Sequence, residues 1–132
     1  MLIMGTIFYF SSIPDLHFID SSVLPLWLKS LIGKYSITIG NQGFFSYVLS
    51  LHPDFIIHKL GHIGLYGLLG VCLFWATKGS FRWSVMITVI FAVTDELHQG
   101  YVPGRSSRFG DILLDVSAAV AFILVMRKLK KR

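Results

Sequence analysis

Three long apolar stretches constrain the fold of this chain more than any other feature of its sequence. They run from about Phe55 to Thr77, from about Phe81 to Leu97 and from about Gly110 to Met126. A helix needs about 20 apolar residues to cross the hydrocarbon core of a bilayer. In a chain of 132 residues, these stretches leave little room for a separate soluble module. We therefore expect a single membrane domain that covers residues 1–132.

The composition supports this interpretation. Hydrophobic residues make up 54% of the chain and charged residues only 14%, whereas about a quarter of the residues of a soluble protein are charged. The net charge of +5 is matched by five basic residues in the C-terminal segment 127–132. Beside an apolar helix, such a segment is better explained as an anchor at the cytoplasmic membrane surface than as a nucleic-acid site. The single cysteine, Cys72, excludes an intrachain disulfide.

Two shorter segments complete the predicted architecture. Residues 1–12 are apolar but supply only about 18 Å of helix, so they form either a short tilted helix or part of a longer one. Asp20-Ser21-Ser22 has helix-capping chemistry, and a helical apolar stripe with Trp27 follows it. This pattern predicts a short interfacial helix. We expect an all-α polytopic bundle with four transmembrane helices and this interfacial helix in the first external loop.

The distribution of basic residues predicts the orientation of these helices. If the C-terminus is cytoplasmic, seven basic residues lie inside and five outside, which agrees with the positive-inside rule. The inside set is Lys78, Arg82, Arg127, Lys128, Lys130, Lys131 and Arg132, and the outside set is Lys29, Lys34, Lys59, Arg105 and Arg108. We therefore predict a multi-pass protein of the cytoplasmic membrane.

This orientation gathers polar residues near the outer face of the bundle. The second helix contributes His58, Lys59, His62 and Tyr66, the third contributes Asp95, Glu96, His98 and Gln99, and the fourth contributes Asp111 and Asp115. Several of these residues are four positions apart and so share a helical face. Ionisable groups inside a membrane protein are rare unless they are paired or line a wet cavity. We expect an extracytoplasmic polar pocket here, with an ion-pair network that closes the bundle as the structural alternative. Small residues would let helices approach closely at Gly61, Gly64, Gly67 and Gly70.

These residues carry a resemblance to a known family. The relevant segments are Phe8-Tyr9-Phe10-Ser11-Ser12-Ile13-Pro14, Lys59-x-x-His62-x-x-x-Tyr66 with Gly70, Asp95-Glu96-x-His98-Gln99, and Val102-Pro103-Gly104-Arg105-Ser106 with Asp111. Together they resemble the VanZ-like family over nearly the whole chain. The resemblance implies a multi-pass bacterial membrane protein whose namesake is linked to resistance against the glycopeptide teicoplanin. It implies no particular reaction.

Two functions from different classes fit these residues. In the first, the pocket binds an amphipathic envelope lipid, a cell-wall precursor or a glycopeptide. In the second, a membrane-embedded enzyme performs acid–base chemistry on a phosphate- or acyl-bearing lipid. A scaffold for other envelope proteins is a third reading. The predicted catalytic residues are Glu96, Asp95 and His62, and the predicted ligand-binding residues are Arg105, Lys59, Tyr66, Gln99 and Asp111.

A metal site is the remaining chemical alternative. His58 and His62 are spaced so that both could bind one zinc ion together with Asp95 or Glu96. However, Lys59 stands directly after His58, where the zinc-protease pattern has a glutamate. We therefore predict no metal and no cofactor, and membrane lipids rather than nucleic acid as partners.

Overall fold

The chain forms a small helical bundle with a short β-hairpin. The computed structural model describes residues 2–14, 16–40 and 43–130. Met1, Asp15, Asn41, Gln42 and the last two basic residues of the predicted anchor therefore lie outside the described residues. In order, the elements are α1 (Leu2–Ser11), a 3-10 turn (Ser21–Val23), α2 (Leu26–Tyr35), β1 (Ile37–Ile39), β2 (Tyr47–Leu49), α3 (Pro53–Ala76), α4 (Phe81–Gln99) and α5 (Phe109–Lys130). The predominantly helical class is confirmed.

Local chemistry explains where α3 begins and ends. His52 precedes the helix, and its side chain accepts a hydrogen bond from the backbone N–H of Asp54, so it acts as the N-cap. Pro53 suits the first turn because its missing N–H would have no helical partner. At the other end Gly79 adopts φ +85° and donates its N–H to the carbonyl of Phe74 at 2.8 Å. The left-handed backbone conformation of Gly79 ends α3 and lets the chain turn back into α4.

Helices α3 and α5 approach each other closely at two glycines of α3. A Cβ atom at Gly70 would lie 2.9 Å from the Cβ and 3.0 Å from the Cα of Ala119. A Cβ atom at Gly67 would meet the ring of Phe122. The expected close approach is thus found at Gly67 and Gly70. By contrast, no described atom lies within 4 Å of a Cβ built at Gly61 or Gly64.

In the described residues, two helices are long and apolar enough to cross a membrane, α3 and α5. Helix α1 has only 10 residues, and α4 has 19 but is less apolar. In the most apolar 18-residue stretch of each of these two helices, 28% of the residues are buried inside the bundle. Four membrane spans therefore remain a prediction.

The interior of the bundle holds polar side chains beside an apolar core, and much of its exterior is apolar. Asp95, Glu96, Asp115, Ser84 and Thr88 are at most 1% exposed. Large apolar side chains on the same helices face outward; examples are Leu60, Leu68, Ile90, Leu113 and Val125. A soluble protein places its charges at the surface, so buried carboxylates together with an apolar exterior favour an apolar environment around the bundle.

The predicted interfacial helix is displaced along the chain. Asp20 caps the short 3-10 turn by accepting the N–H of Ser22 at 2.8 Å. The backbone N–H of Ser22, followed by its hydroxyl, holds the pKa of the Asp20 carboxyl below its ordinary value. The α-helix itself begins only at Leu26, after Pro25, and keeps Trp27 exposed.

The segment that follows α2 forms the hairpin. β1 and β2 pair antiparallel, with Thr38 opposite Val48. The carbonyl of Phe44 accepts the N–H of Phe109 at 2.8 Å, which ties the loop between the two strands to the start of α5.

Candidate functional site

Two adjoining cavities lie between the N-terminal segment and the helices. The apolar cavity, of about 190 Å³, is lined by Ile7, Phe10, Phe18, Ile57, Gly61, Leu65 and Tyr66 among others. The polar cavity, of about 220 Å³, is lined by Asp54, Lys59, Gln99, Arg108 and Asp111 among others. Both include Leu16, His58, His62 and Arg105 in their walls. The two cavities therefore meet along these four side chains.

Two contacts between ionisable side chains join α3 to α5 at this site. The Nζ atom of Lys59 pairs with Oδ1 of Asp111, and both side chains are largely buried. One turn further along both helices, Nδ1 of His62 lies 3.0 and 3.2 Å from the two carboxylate oxygens of Asp115. Asp115 is fully buried. Since Asp111 and Asp115 are four residues apart, one face of α5 supplies both partners.

A second polar network surrounds Asp95 on α4. Its Oδ2 atom accepts the hydroxyl of Tyr66 at 3.1 Å and the amide of Gln99 at 3.0 Å. The Gln99 amide also donates to the hydroxyl of Ser11 at 3.3 Å, which connects the network to α1. Two neutral donors thus hold one carboxylate oxygen at the meeting point of α1, α3 and α4.

Several buried polar atoms beside this network have no hydrogen-bond partner in the described structure. They are Oδ1 of Asp95, Oε1 of Glu96, Oγ of Ser107 and Nε of Arg108. The second oxygen of Glu96 accepts the backbone N–H of Arg108 at 2.8 Å. Because an unsatisfied buried polar atom is costly, these atoms indicate a place for a proton, a water molecule or a ligand.

Arg105 closes the C-terminal end of α1. Its Nη2 atom donates to the carbonyl of Phe10 at 2.6 Å, and its Nε atom donates to that of Ile13 at 3.3 Å. Burial lowers the pKa of the guanidinium, and the charges of Asp95 and Glu96 oppose that shift. Since arginine stays protonated in proteins, Arg105 brings a positive charge to the junction of the two cavities.

The segment 16–19, here named the strap, covers both cavities and is held by α3. Asp54 accepts the N–H groups of Phe18 at 2.5 Å and Ile19 at 3.0 Å through Oδ1. Its Oδ2 atom lies 3.1 Å from Nδ1 of His17. His58 Nε2 lies 2.8 Å from the carbonyl of Leu16. The strap is therefore positioned by side chains one helical turn apart.

Replacing Asp54 with alanine is expected to release the strap. The loss of two charge-assisted hydrogen bonds removes about 1.5–3 kcal/mol each, which corresponds to amide exchange at least about tenfold faster. Hydrogen-exchange mass spectrometry of peptides that contain Phe18 and Ile19 measures this change. The matched control is Asp20→Ala, since among the described residues the Asp20 carboxylate is bound locally by Ser22 and not by the strap. Equal exchange in wild type and Asp54→Ala would contradict this role.

The histidines of α3 point to partners other than a shared metal. His62 faces Asp115, and His58 contacts Leu16 and, at 3.6 Å, Asp54. Within residues 2–14, 16–40 and 43–130, no group of three or more His, Cys, Asp or Glu side chains is arranged to hold a metal ion.

The structure brings the predicted site residues together around the two cavities. Lys59, His62, Gln99, Arg105 and Asp111 line the polar cavity. Tyr66 lines the apolar cavity, and Asp95 and Glu96 lie buried beside these residues. We had no sequence reason to single out Asp54, Arg108 or the specific pairing of Asp115. The four-residue spacing of Asp54 and His58 is the one sequence signal that could have indicated Asp54, whereas no spacing indicates Arg108 or the partner of Asp115.

Comparisons with known proteins identify one family. The family model described as VanZ/LLP1 matches residues 1–130. A search of curated proteins found no match. A search of solved structures also found none.

Proposed function

The chain belongs to the VanZ/LLP1 family, and from this premise we propose that it is a multi-pass protein of the bacterial envelope that binds an amphipathic lipid. The observation that carries the proposal is the junction of an apolar and a polar cavity along Leu16, His58, His62 and Arg105. An amphipathic lipid likewise has an apolar chain joined to a polar headgroup. Its chain would occupy the first cavity and its headgroup the second.

The charges of the polar cavity favour an anionic headgroup. Lys59, Arg105 and Arg108 line it, and Nε of Arg108 has no described hydrogen-bond partner. Guanidinium groups bind phosphate and carboxylate through paired hydrogen bonds. We therefore propose a phosphate-bearing envelope lipid or lipid-linked cell-wall precursor as the ligand class.

The size of the cavities bears on the glycopeptide alternative. Pockets for drug-sized ligands measure about 300–1,000 Å³, whereas each cavity here is about 190 or 220 Å³. This space favours a lipid chain and headgroup over a whole drug-sized molecule such as a glycopeptide. We therefore propose that any role in glycopeptide tolerance acts through a bound cell-wall precursor, which the cavities have room to hold in part.

The proposed location is the cytoplasmic membrane with the C-terminus inside and the pocket outside. The apolar exteriors of α3 and α5 support membrane insertion. Four basic residues, Lys78, Arg127, Lys128 and Lys130, lie at the end of the bundle away from the cavities, with Arg82 in the adjoining first turn of α4. That distribution supports a cytoplasmic location for this end.

Filling the apolar cavity tests the proposal. Gly61 lines this cavity and has open space around its Cα, so Gly61→Phe places a ring where the lipid chain would lie. We expect native mass spectrometry of the gently purified protein to show a co-purified lipid in wild type and at least about tenfold less in this variant, a loss of about 1.4 kcal/mol.

Gly64→Phe is the matched control, because Gly64 also has open space but lines neither cavity. It should retain the lipid. Loss in both variants, or in neither, would contradict binding in the apolar cavity.

Catalysis is the second candidate function, and one contact favours it. Asp115 holds Nδ1 of His62, which leaves the other ring nitrogen of a cavity-lining histidine available for proton transfer.

A further inference from the structure

The orientation of His62 distinguishes it from the other histidines near the cavities. Its Nδ1 atom contacts both carboxylate oxygens of Asp115, which is fully buried. The opposite edge of the ring carries Nε2, which makes no hydrogen bond to the described residues. Since His62 lines both cavities, this nitrogen borders the space where a headgroup would meet its chain.

His58 also lines both cavities but is already engaged. Its Nε2 atom lies 2.8 Å from the carbonyl of Leu16, an arrangement in which this nitrogen is the donor. His17 lines the polar cavity and contacts the buried Asp54, but its side chain is 69% exposed. Of the two histidines that line both cavities, His62 is the one whose Nδ1 contacts a buried carboxylate while its Nε2 makes no hydrogen bond to the described residues.

The cations around this nitrogen suit a phosphate group. Lys59, Arg105 and Arg108 line the same cavity from α3 and from the loop that precedes α5. Two carboxylates also line it, but Asp54 is bound to the strap and Asp111 is paired with Lys59. The positive charges of Arg105 and Arg108 thus have no described carboxylate ion pair and remain for an anionic ligand.

We propose that this site hydrolyses the terminal phosphate of an amphipathic phosphomonoester or diphosphate, with His62 as the general base. The proposal rests on the lipid binding proposed above and deepens it. Nε2 of His62 removes a proton from a water molecule whose oxygen attacks phosphorus. The bond from phosphorus to the bridging oxygen breaks, and that oxygen takes the proton from His62. One water is consumed, and an alcohol or a shorter phosphate is released together with inorganic phosphate.

Asp115 acts in this scheme as a positioning residue. Its carboxylate fixes the proton of neutral His62 on Nδ1, so that Nε2 carries the lone pair that accepts a proton from water. It also stabilises the imidazolium formed when water loses its proton. Arg105 and Arg108 neutralise the charge of the phosphate oxygens while the bond breaks.

The test uses the full chain purified in mild detergent, with two probes, dioctanoyl phosphatidic acid and farnesyl diphosphate. Release of inorganic phosphate is measured for wild type, His62→Gln and Asp115→Asn. We expect release from at least one probe, and a rate at least about 100-fold lower in both variants. In Asp115→Asn the loss should fall on kcat rather than KM. In ¹⁸O-labelled water the label should enter phosphate and not the alcohol.

His98→Gln is the matched control, since His98 contacts Ser12 at 3.0 Å and lines neither cavity. It should retain the wild-type rate. Native mass spectrometry of each variant with the same probes confirms that the protein is folded and binds. Asp115→Glu, which keeps the carboxylate, should restore part of the rate if Asp115→Asn is folded but inactive.

The outcomes separate this inference from the proposed function. If a probe binds but wild type releases no more phosphate than His62→Gln, hydrolysis is overturned and lipid binding stands. If neither probe binds or is cleaved, both the binding and the hydrolysis of phosphate lipids are contradicted. Activity that persists in His62→Gln would contradict the role of His62 as the general base.

Discussion

Replacing Gly70 with leucine is expected to disrupt the packing of α3 against α5 and to cause the largest loss of stability among the variants considered. A side chain at this position would collide with Ala119, whose Cα and carbonyl oxygen would lie 3.0 Å from the new Cβ. Backbone atoms cannot move aside as a flexible side chain can. Overpacking a well-packed interior costs about 1–3 kcal/mol, and here the whole helix pair must separate to admit leucine.

Thermal unfolding in detergent, followed by circular dichroism, measures the effect. Gly64→Leu is the matched control on the same helix, because no described atom lies within 4 Å of a Cβ built there. It adds the same side chain at no steric cost to the described bundle. Equal unfolding temperatures for the two variants would contradict the close contact between α3 and α5.

The same change should reach the functional site. Helices α3 and α5 supply both partners of the Lys59–Asp111 and His62–Asp115 contacts. Separation of the two helices would leave buried charges without their partners, which is strongly unfavourable. We therefore expect Gly70→Leu to lose the co-purified lipid as well, even though Gly70 lines neither cavity.

Replacing Arg105 with alanine is expected to have the largest effect on ligand binding. This single side chain borders both cavities and supplies a positive charge between them. It also donates to the carbonyls of Phe10 and Ile13, so its removal frees the end of α1. Removal of a buried charged partner costs about 2–5 kcal/mol, and so lipid affinity should fall at least about thirtyfold.

Lipid retention in native mass spectrometry is the measurement, with Arg105→Lys as the intermediate case. Lysine keeps the charge but lacks the planar fork that reaches two carbonyls at once, and it should retain only part of the lipid. Arg82→Ala is the control, because Arg82 is exposed and lies on α4 away from both cavities. Full retention of lipid by Arg105→Ala would show that Arg105 serves only to hold α1.

The positions of the long helices follow largely from the hydropathy of the sequence. The three long apolar stretches correspond to α3, α4 and α5, with ends displaced by a few residues. Helical spacing also predicts contacts within one helix, and the hydrogen bond from Gln99 to Asp95 is such a case. These features depend on neighbouring residues, and local sequence is sufficient to specify them.

The number of membrane spans is less accessible to the sequence. α4 combines apolar residues with the buried carboxylates Asp95 and Glu96, so hydropathy alone does not identify it as a membrane span. The hairpin is less accessible still, because its loop is tied to the start of α5 by the hydrogen bond between Phe109 and Phe44, which are distant in the chain.

The pairing of side chains between helices is visible only in the folded bundle. Spacing places His62 and Asp115 on faces of their own helices, but it does not say which helices those faces meet. The same limit applies to Gly64 and Gly70, which look alike in sequence although only Gly70 meets a neighbouring backbone. Helix rotation and neighbour choice are set by packing over the whole bundle, because many weak contacts are satisfied together. For this reason composition and spacing predicted a polar site on a helical membrane domain, whereas the fold determined which carboxylate orients His62.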